Sequence, residues 1–212
     1  MASPAFSTSQ PTSTESLLSR LLEKTIRRSQ ALDTESLCLI AGQKVWSIRA
    51  DVHVLSHDGN LVDAACVGVI SALSHFRKPD TSTEGEEVTV YSAEEREMVP
   101  LSMLHMPLCV TFSYYGCGGL EEDERILVDT SLLEESLRDG SCTFGLNRHG
   151  EVCQIAKLGG APLDAIMLIH CVNVAAVKVK TISALITKRL AEDAKRRDKG
   201  GISAALSAEN AR

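Results

Sequence analysis

The chain has 212 residues, a formal net charge of -6 and 44% hydrophobic residues, which is enough for one packed domain. Its acidic balance excludes a generally basic nucleic-acid-binding protein, so any such contact has to come from a local patch. The seven cysteines form no Cys-x-x-Cys pair and no apolar run reaches the roughly 20 residues of a membrane span, so we expect a soluble protein of a reducing compartment.

The N-terminal segment and the first helix come first in the chain. Residues 1–12 are rich in Ser, Thr and Pro and are predicted to be disordered. Ser13 or Thr14 can cap a helix that runs to about Ser29. The packed domain is therefore predicted to begin near residue 13 and to extend to residue 200, with residues 201–212 as a tail.

Basic side chains form a row on this helix. At 100° per residue, Arg20, Lys24 and Arg27 gather in a narrow stripe opposite a leucine-rich side, and Arg28 lies at the margin of the stripe. Such a row is commonly a solvated face. A same-sign row on a rigid helix also suits the phosphate backbone of a nucleic acid.

The centre of the chain carries the clearest pattern. Residues 44–55 alternate strictly between apolar and polar side chains, which predicts a strand with one face in a core. The turn at 57–60 ends it. Residues 61–76 are apolar nearly all round, which predicts a buried helix that is covered on both sides.

The remaining elements alternate between strands and helices. Residues 77–87 read as a polar connector, 100–107 as irregular and 116–124 as a Gly-rich loop. The predicted strands are 88–91, 108–115 and 126–129, with a hairpin formed by 142–147 and 151–157. A helical turn is predicted at 132–138, and a terminal helix with a basic outer face begins at Leu163 and ends at Gly200.

Four stretches of sequence carry a resemblance to a known family. They are LDTESLC (32–38), AGQKVW (41–46), HDGNLVDAA (57–65) and PLSMLHMP (100–107). These motifs, in this order, resemble those of the ribonuclease-PH-like ring subunits of the eukaryotic RNA exosome. Within that family they are most similar to the orthologue group known as the smaller polymyositis/scleroderma autoantigen. The resemblance runs from about residue 14 onward and is also to the catalytically silent archaeal ring subunit.

The resemblance implies a fold. The ribonuclease-PH-like domain is an α+β fold of the ribosomal protein S5 domain 2-like class, with a mixed sheet packed on helices. The family's domain starts with several strands before the first helix, and residues 1–12 cannot supply them. We therefore expect an N-terminally shortened, incomplete domain with exposed sheet edges and an uncovered apolar face.

The family's phosphate-binding loop is altered in this sequence. Enzymes of the family hold phosphate at a helix N-terminus through backbone N–H groups and an arginine. The matching loop contains Asn60, Val62 and Asp63, with Val62 at the arginine position. Valine donates no hydrogen bond, and the charge of Asp63 would repel phosphate by several kcal/mol at ~4 Å in a partly buried site. Asp63 also suits the first turn of a helix, where an acid favours the helix dipole.

The family's pair of catalytic aspartates is also incomplete. The later aspartate survives as Asp139, and the earlier position is Leu133. One carboxylate without its partner or a phosphate clamp does not make this catalyst, so we expect no enzyme activity. His105, His149 and His170 lack metal-ligand spacing, and neither a metal nor a cofactor is expected.

The resemblance therefore implies a non-catalytic structural subunit of the exosome ring that supports 3′–5′ RNA processing and decay. The implied partners are other ribonuclease-PH-like subunits, cap subunits, an associated nuclease and single-stranded RNA, in the nucleus, nucleolus and cytoplasm. Arg20, Lys24 and Arg27 are the candidate RNA-binding residues, because the silent archaeal subunit carries basic residues at the same spacing. Two alternatives stay open: an active phosphorolytic 3′–5′ exoribonuclease, and a truncated fragment without function.

Overall fold

A computed structural model describes residues 12–116, 125–157 and 159–198. The predicted disorder of residues 1–11, most of the 116–124 loop and the 201–212 tail lie outside these residues. The helices are α1 (Ser13–Glu23), continued by a π-helical turn (Lys24–Arg28), α2 (Leu61–His75), α3 (Leu132–Leu137) and α4 (Ala165–Asp198), with a 3₁₀ turn at Glu35–Leu37. The strands are β1 (Cys38–Ile40), β2 (Lys44–Val45), β3 (Arg77–Lys78), β4 (Thr81–Glu84), β5 (Glu87–Val90), β6 (Val99–Pro100), β7 (Leu108–Tyr115), β8 (Arg125–Val128), β9 (Gly140–Leu146) and β10 (Val152–Lys157).

A four-stranded antiparallel sheet forms the centre of the fold. Its strand order is β10-β9-β7-β8, and β9 and β10 form the hairpin that the sequence predicts. β7 pairs with β9 from Leu108 opposite Leu146 to Tyr114 opposite Gly140. The predicted strands at 108–115 and 126–129 are both present. β8 pairs with β7 from Phe112 opposite Val128 to Tyr115 opposite Arg125, although most of its side chains are exposed.

Both faces of β7 are covered by helices. The side chains of Cys109 and Thr111 contact residues of the π turn and α2, and the hydroxyl of Tyr114 lies 3.6 Å from the Cys171 sulfur on α4. The first seven residues of β7 are consequently buried, polar ones included. A strand enclosed on both sides does not need to alternate between apolar and polar residues.

The apolar core lies mainly between β7, β9 and the helix α4. Phe112 and Phe144 meet edge to face there, with ring centroids 5.7 Å apart. α2 begins and ends within one residue of its prediction and buries Cys66 and Ile70 against the sheet. Its other side is not fully covered, which corrects the expectation of a helix enclosed on both sides: Ala64 and Gly68 are exposed.

The long helix α4 has the length and composition that could cross a membrane from Ala165 to Arg197. No apolar run of that kind was expected from the sequence. Three of its side chains, Cys171, Ala175 and Val179, are fully buried in the core that the helix shares with the sheet. The helix thus packs on β7 and β9 through one face, and 17% of its most apolar 18-residue stretch is buried.

The strand predicted for residues 44–55 is wrong beyond Val45. Among the described residues, the only backbone hydrogen bond recorded for this stretch past β2 joins the Trp46 N–H to the Leu37 carbonyl, 2.9 Å away. Ile48, Val52 and Leu55 are exposed, Leu55 at 92%. The alternating pattern marks side chains that could share a face, but a strand forms only where a second strand bonds to its backbone.

Two cavities flank this segment. One, of about 840 Å³, separates residues 46–56 from the outer face of α2, including Leu61, Ala64 and Phe76. The other, of about 1050 Å³, lies between the same segment and α1. The segment therefore lies beside the helices without packing closely on them, in agreement with the expected uncovered apolar face.

The polar connector predicted at 77–87 is a hairpin instead. Thr81–Glu84 pairs with Glu87–Val90, and Gly85 takes a φ of +65° in the turn. The guanidinium of Arg96 lies over the ring of Tyr91 at 3.7 Å and forms an ion pair with Asp80 at 3.0 Å. The first strand of this hairpin is polar on both faces, so apolar alternation did not indicate it, whereas the second is the strand predicted at 88–91.

Candidate functional site

The basic row lies on the exposed side of α1 and of the π turn. The helix begins one residue earlier than predicted, with Thr12 as its N-cap. Thr12 and Glu15 form a capping box, in which each side chain accepts the other residue's backbone N–H, at 2.8 and 3.3 Å. This cap fixes the start of the helix and so the angular position of every residue after it.

All three predicted RNA-binding side chains, Arg20, Lys24 and Arg27, are exposed. Arg27 forms an ion pair with Glu23 at 3.2 Å, and both side chains are largely open to solvent. Exposed ion pairs of this kind contribute little to stability. The structure thus leaves the row accessible, but one of its three charges has an acidic neighbour.

The altered phosphate loop lies at the N-terminus of α2. Asn60 adopts the left-handed conformation (φ +49°), and Gly59 before it has a φ of +94°. A Cβ at Gly59 would lie 2.2 Å from the carbonyl oxygen of Thr130, so only glycine fits this close approach. The loop is thereby held against the segment between β8 and α3.

Asp129 of that segment and Glu135 of α3 accept hydrogen bonds from Asn60. The Asn60 N–H donates to the Glu135 carboxylate at 2.9 Å, and the Asn60 side-chain amide donates to Asp129, also at 2.9 Å. Arg138 forms an ion pair with the same Glu135 oxygen at 3.4 Å. A backbone donor at a helix N-terminus, where anions bind well, is therefore already bound to a carboxylate of the chain itself.

The other two residues of this loop, Val62 and Asp63, point into the fold. Val62 packs on the main apolar core, so the arginine position of the family contributes an apolar contact. Asp63 accepts the Thr111 N–H at 2.8 Å and the Thr111 hydroxyl at 2.7 Å. Burial raises the pKa of Asp63, and its hydrogen bonds to Thr111 oppose that shift. Asp63 ties α2 to β7, in addition to its position in the first turn of the helix.

The incomplete acidic pair is also used structurally. Leu133 lies on α3 with 78% of its surface exposed. Asp139 accepts the Gly116 N–H at 2.7 Å. The position predicted to have lost its charge is thus an exposed apolar side chain, and the surviving carboxylate supports a backbone turn.

The sequence did not indicate Thr111, Asp129 or Glu135 as parts of this site. Thr111 is one polar residue inside a strand, and Glu135 follows a capping residue of α3, so each has an ordinary local explanation. Asn60 and Glu135 are 75 residues apart in the chain, and only the fold brings them together. Within the residues that the structure describes, no group of His, Cys, Asp or Glu side chains could hold a metal ion.

Two models of one family match this chain. Domain 1 of the 3′ exoribonuclease family (RNase PH) matches residues 1–79, and domain 2 matches residues 105–178. The exosome complex component RRP45 of Saccharomyces cerevisiae is 45% identical over 205 residues, covering 93% of this chain and 67% of that protein. The chain belongs to the 3′ exoribonuclease family.

Further relatives and solved structures agree with this assignment. Exosome complex component rrp45 of Schizosaccharomyces pombe is 50% identical over 93% of this chain and 66% of its own length, and the human component RRP45 is 45% identical over 95% and 45%. An Archaeoglobus fulgidus exosome structure with RNA bound to the active site superposes with a TM-score of 0.71 at 28% identity, covering 86% of this chain and 65% of that one. The predicted ribonuclease-PH-like α+β fold is confirmed, and this chain spans between about half and two thirds of the length of these relatives.

Proposed function

We propose that this family member is a structural, non-catalytic subunit of an RNA exosome ring. Its partners would be other ribonuclease-PH-like subunits, cap subunits and an associated nuclease, and it would help to position single-stranded RNA for 3′–5′ processing and decay. The similarity to exosome components of fission yeast, budding yeast and human supports this proposal.

One observation carries the non-catalytic part of the proposal. The Asn60 N–H at the start of α2 donates to Glu135 at 2.9 Å, so a carboxylate lies at the loop that the resemblance matches to the family's phosphate site. Val62 offers no donor, and Asp63 adds a second acidic group nearby. A phosphate ion would have to approach two carboxylates and displace one of them, which opposes binding in a partly buried site.

The RNA-positioning part rests on the exposed basic row of the first helix. Arg20, Lys24 and Arg27 project from a helix whose start is fixed by a capping box and whose inner side is anchored in the core. Rigid placement lets several charges meet successive phosphates of a strand. The Archaeoglobus structure, which contains RNA, supports contact between this fold and RNA.

Three finer assignments stay predictions. We propose the nucleus, nucleolus and cytoplasm as the sites of action, as the resemblance to the eukaryotic subunits implies. The assignment to the autoantigen orthologue group and the shortened N-terminal part of the domain likewise stay as the sequence predicted them.

Catalysis is tested by incubating the purified chain, and a ring assembled with it, with RNA and inorganic phosphate. We expect no nucleoside diphosphates from the chain alone, because the anion site is occupied by Glu135. Phosphate-dependent turnover by the purified chain would overturn the non-catalytic assignment.

RNA positioning is tested with the triple variant Arg20→Glu, Lys24→Glu, Arg27→Glu in an assembled ring. For single-stranded RNA, each lost phosphate contact lowers the salt dependence of log K by about 0.7. We expect binding to oligo(U) to fall about 100-fold or more and the slope to become shallower by about 1.4 to 2.1. A matched control reverses the exposed Lys178, Lys188 and Lys195 on α4. Equal losses in both variants, or none in the first, would reject this surface.

A further inference from the structure

We infer that Arg28, rather than Arg27, is the third cation of the RNA-binding row, because the π turn rotates the two arginines relative to Arg20 and Lys24. The inference rests on the proposed function, since it names the contact residues of that same surface. The sequence, read as an uninterrupted α-helix, placed Arg27 in the row and Arg28 at its margin.

The change from α- to π-helical geometry sets the angular positions of Arg27 and Arg28 around the helix axis. From Arg20 to Lys24 the α-helix advances about 100° per residue, which brings Lys24 to about 40° from Arg20. The hydrogen bonds of a π turn close over five residues, so each residue from Lys24 to Arg28 advances only roughly 80°. Arg28 then lies at about 0° and Arg27 at about -80°, whereas an α-helix would place them at about +80° and -20°.

The positive charge of Arg27 has an acidic neighbour in this arrangement. Glu23 lies at about -60° from Arg20, on the side toward which the π turn moves Arg27. The two side chains meet at 3.2 Å. Arg27 is thus beside an acidic group, whereas Arg28 is exposed and no ion pair is recorded for it, for Arg20 or for Lys24 within the described ranges.

Buried contacts hold the π turn in place. Thr25 is fully buried, and its hydroxyl donates to the Leu21 carbonyl at 2.9 Å. Its methyl group faces Gly145 of β9, where an added Cβ would approach it to 3.6 Å. After the turn, a Schellman C-cap ends the helical segment: the Ala31 N–H donates to the Ile26 carbonyl at 3.1 Å, and Gln30 is left-handed with a φ of +56°.

The turn keeps the buried face of the helix continuous. With the reduced rotation, Thr25 and Ile26 stay at about 120° and 200°, on the side of the buried Leu21 and Leu22. An α-helical turn would carry Ile26 farther from that side. The same packing that buries Thr25 therefore sets the direction of Arg28 on the opposite side.

A pair of single substitutions tests the inference in an assembled ring that contains the whole chain. The variants Arg28→Ala and Arg27→Ala each remove one exposed charge, one residue apart, and Arg28→Lys restores a charge. Binding to fluorescent oligo(U) is measured over a series of salt concentrations, and size-exclusion chromatography checks that each variant enters the ring.

We expect Arg28→Ala to weaken binding about five-fold near 0.1 M salt and to make the salt slope shallower by about 0.7, with Arg28→Lys retaining most of the affinity. Arg27→Ala should change affinity less than about two-fold, because Glu23 already offsets its charge. A loss with Arg27→Ala equal to or greater than that with Arg28→Ala overturns the inference and leaves RNA binding on this helix intact. No loss with either single variant overturns the inference as well. If the triple variant described above also binds normally, the proposed function fails with it.

Discussion

The strand β7 and the segment 46–55 have similar apolar content but very different surroundings. β7 has hydrogen-bonded strands on both sides and helices on both faces, and its first seven residues are buried. Past the first residue of the segment 46–55, no backbone hydrogen bond is recorded among the residues described, and most of its side chains are exposed. Apolar alternation therefore indicates which residues can share a face, whereas partners decide whether a strand forms.

Hydrogen exchange gives the largest expected contrast between these two regions. Amides in the centre of β7 should open only with global unfolding, whereas those of residues 47–56 should exchange almost as in an open chain. For a domain of ordinary stability this is a difference of about 1000-fold or more in protection factor. Mass spectrometry of this chain measures it by peptide. Strong protection of 47–56 would show that this segment has a partner strand in solution.

Truncation of one side chain in each region should separate them next. Phe144→Ala removes a fully buried ring that contacts Phe112 and should lower the free energy of unfolding by about 3–5 kcal/mol. Leu55→Ala removes a side chain that is 92% exposed and should change it by less than about 0.5 kcal/mol. Urea denaturation followed by circular dichroism measures both. If Leu55→Ala lowered the free energy of unfolding nearly as much as Phe144→Ala does, the segment 46–55 would have to be buried in solution.

The smallest expected effect concerns α2, which lies between the two regions. Asp63→Ala leaves the buried N–H of Thr111 without its acceptor and should cost about 1–3 kcal/mol. Because burial raises the pKa of Asp63, the folded state holds its proton more tightly than the unfolded state does. Wild-type stability then gains from this group as the pH falls through the raised pKa.

The pH dependence sharpens this last test. The difference in unfolding free energy between the wild type and Asp63→Ala should increase from about pH 7 to about pH 4. Thr111→Val provides a control that removes the hydroxyl and keeps the backbone donor. A constant or shrinking difference would contradict the assignment of Asp63 as a buried carboxyl that ties α2 to β7.

The fold was predictable wherever apolar periodicity and burial coincide. The hairpin of β9 and β10, the helix α2 and the strand β7 appear within one or two residues of their predicted positions. In the hairpin of β4 and β5 the second strand was predicted, but the first was missed, because side chains such as those of Thr81 and Thr83 are polar and leave no apolar alternation. The boundaries of α1 were nearly right, but the π turn after it depends on the tertiary contacts of Thr25, which no local pattern reveals.

In the candidate site, too, some features are visible in the sequence and others depend on tertiary contacts. The substitutions at Val62 and Leu133 are visible in the sequence, because the resemblance supplies the position where an arginine or an aspartate is expected. The roles of Asp63 and Glu135 are not visible, since each depends on a partner from a distant part of the chain. The sequence therefore predicts which of the family's groups are absent, and the structure shows which partners Asp63 and Glu135 have.

Glu135 has a consequence for how this protein would respond to its ionic surroundings. Its carboxylate is tethered to the same polypeptide as the Asn60 N–H that it accepts, so its local concentration at that donor is on the order of millimolar or above at all times. A freely diffusing anion therefore has to compete with the Glu135 carboxylate for the Asn60 N–H. The stability of this protein should consequently be insensitive to added phosphate, and a ring that contains it would draw any phosphate dependence from its neighbours.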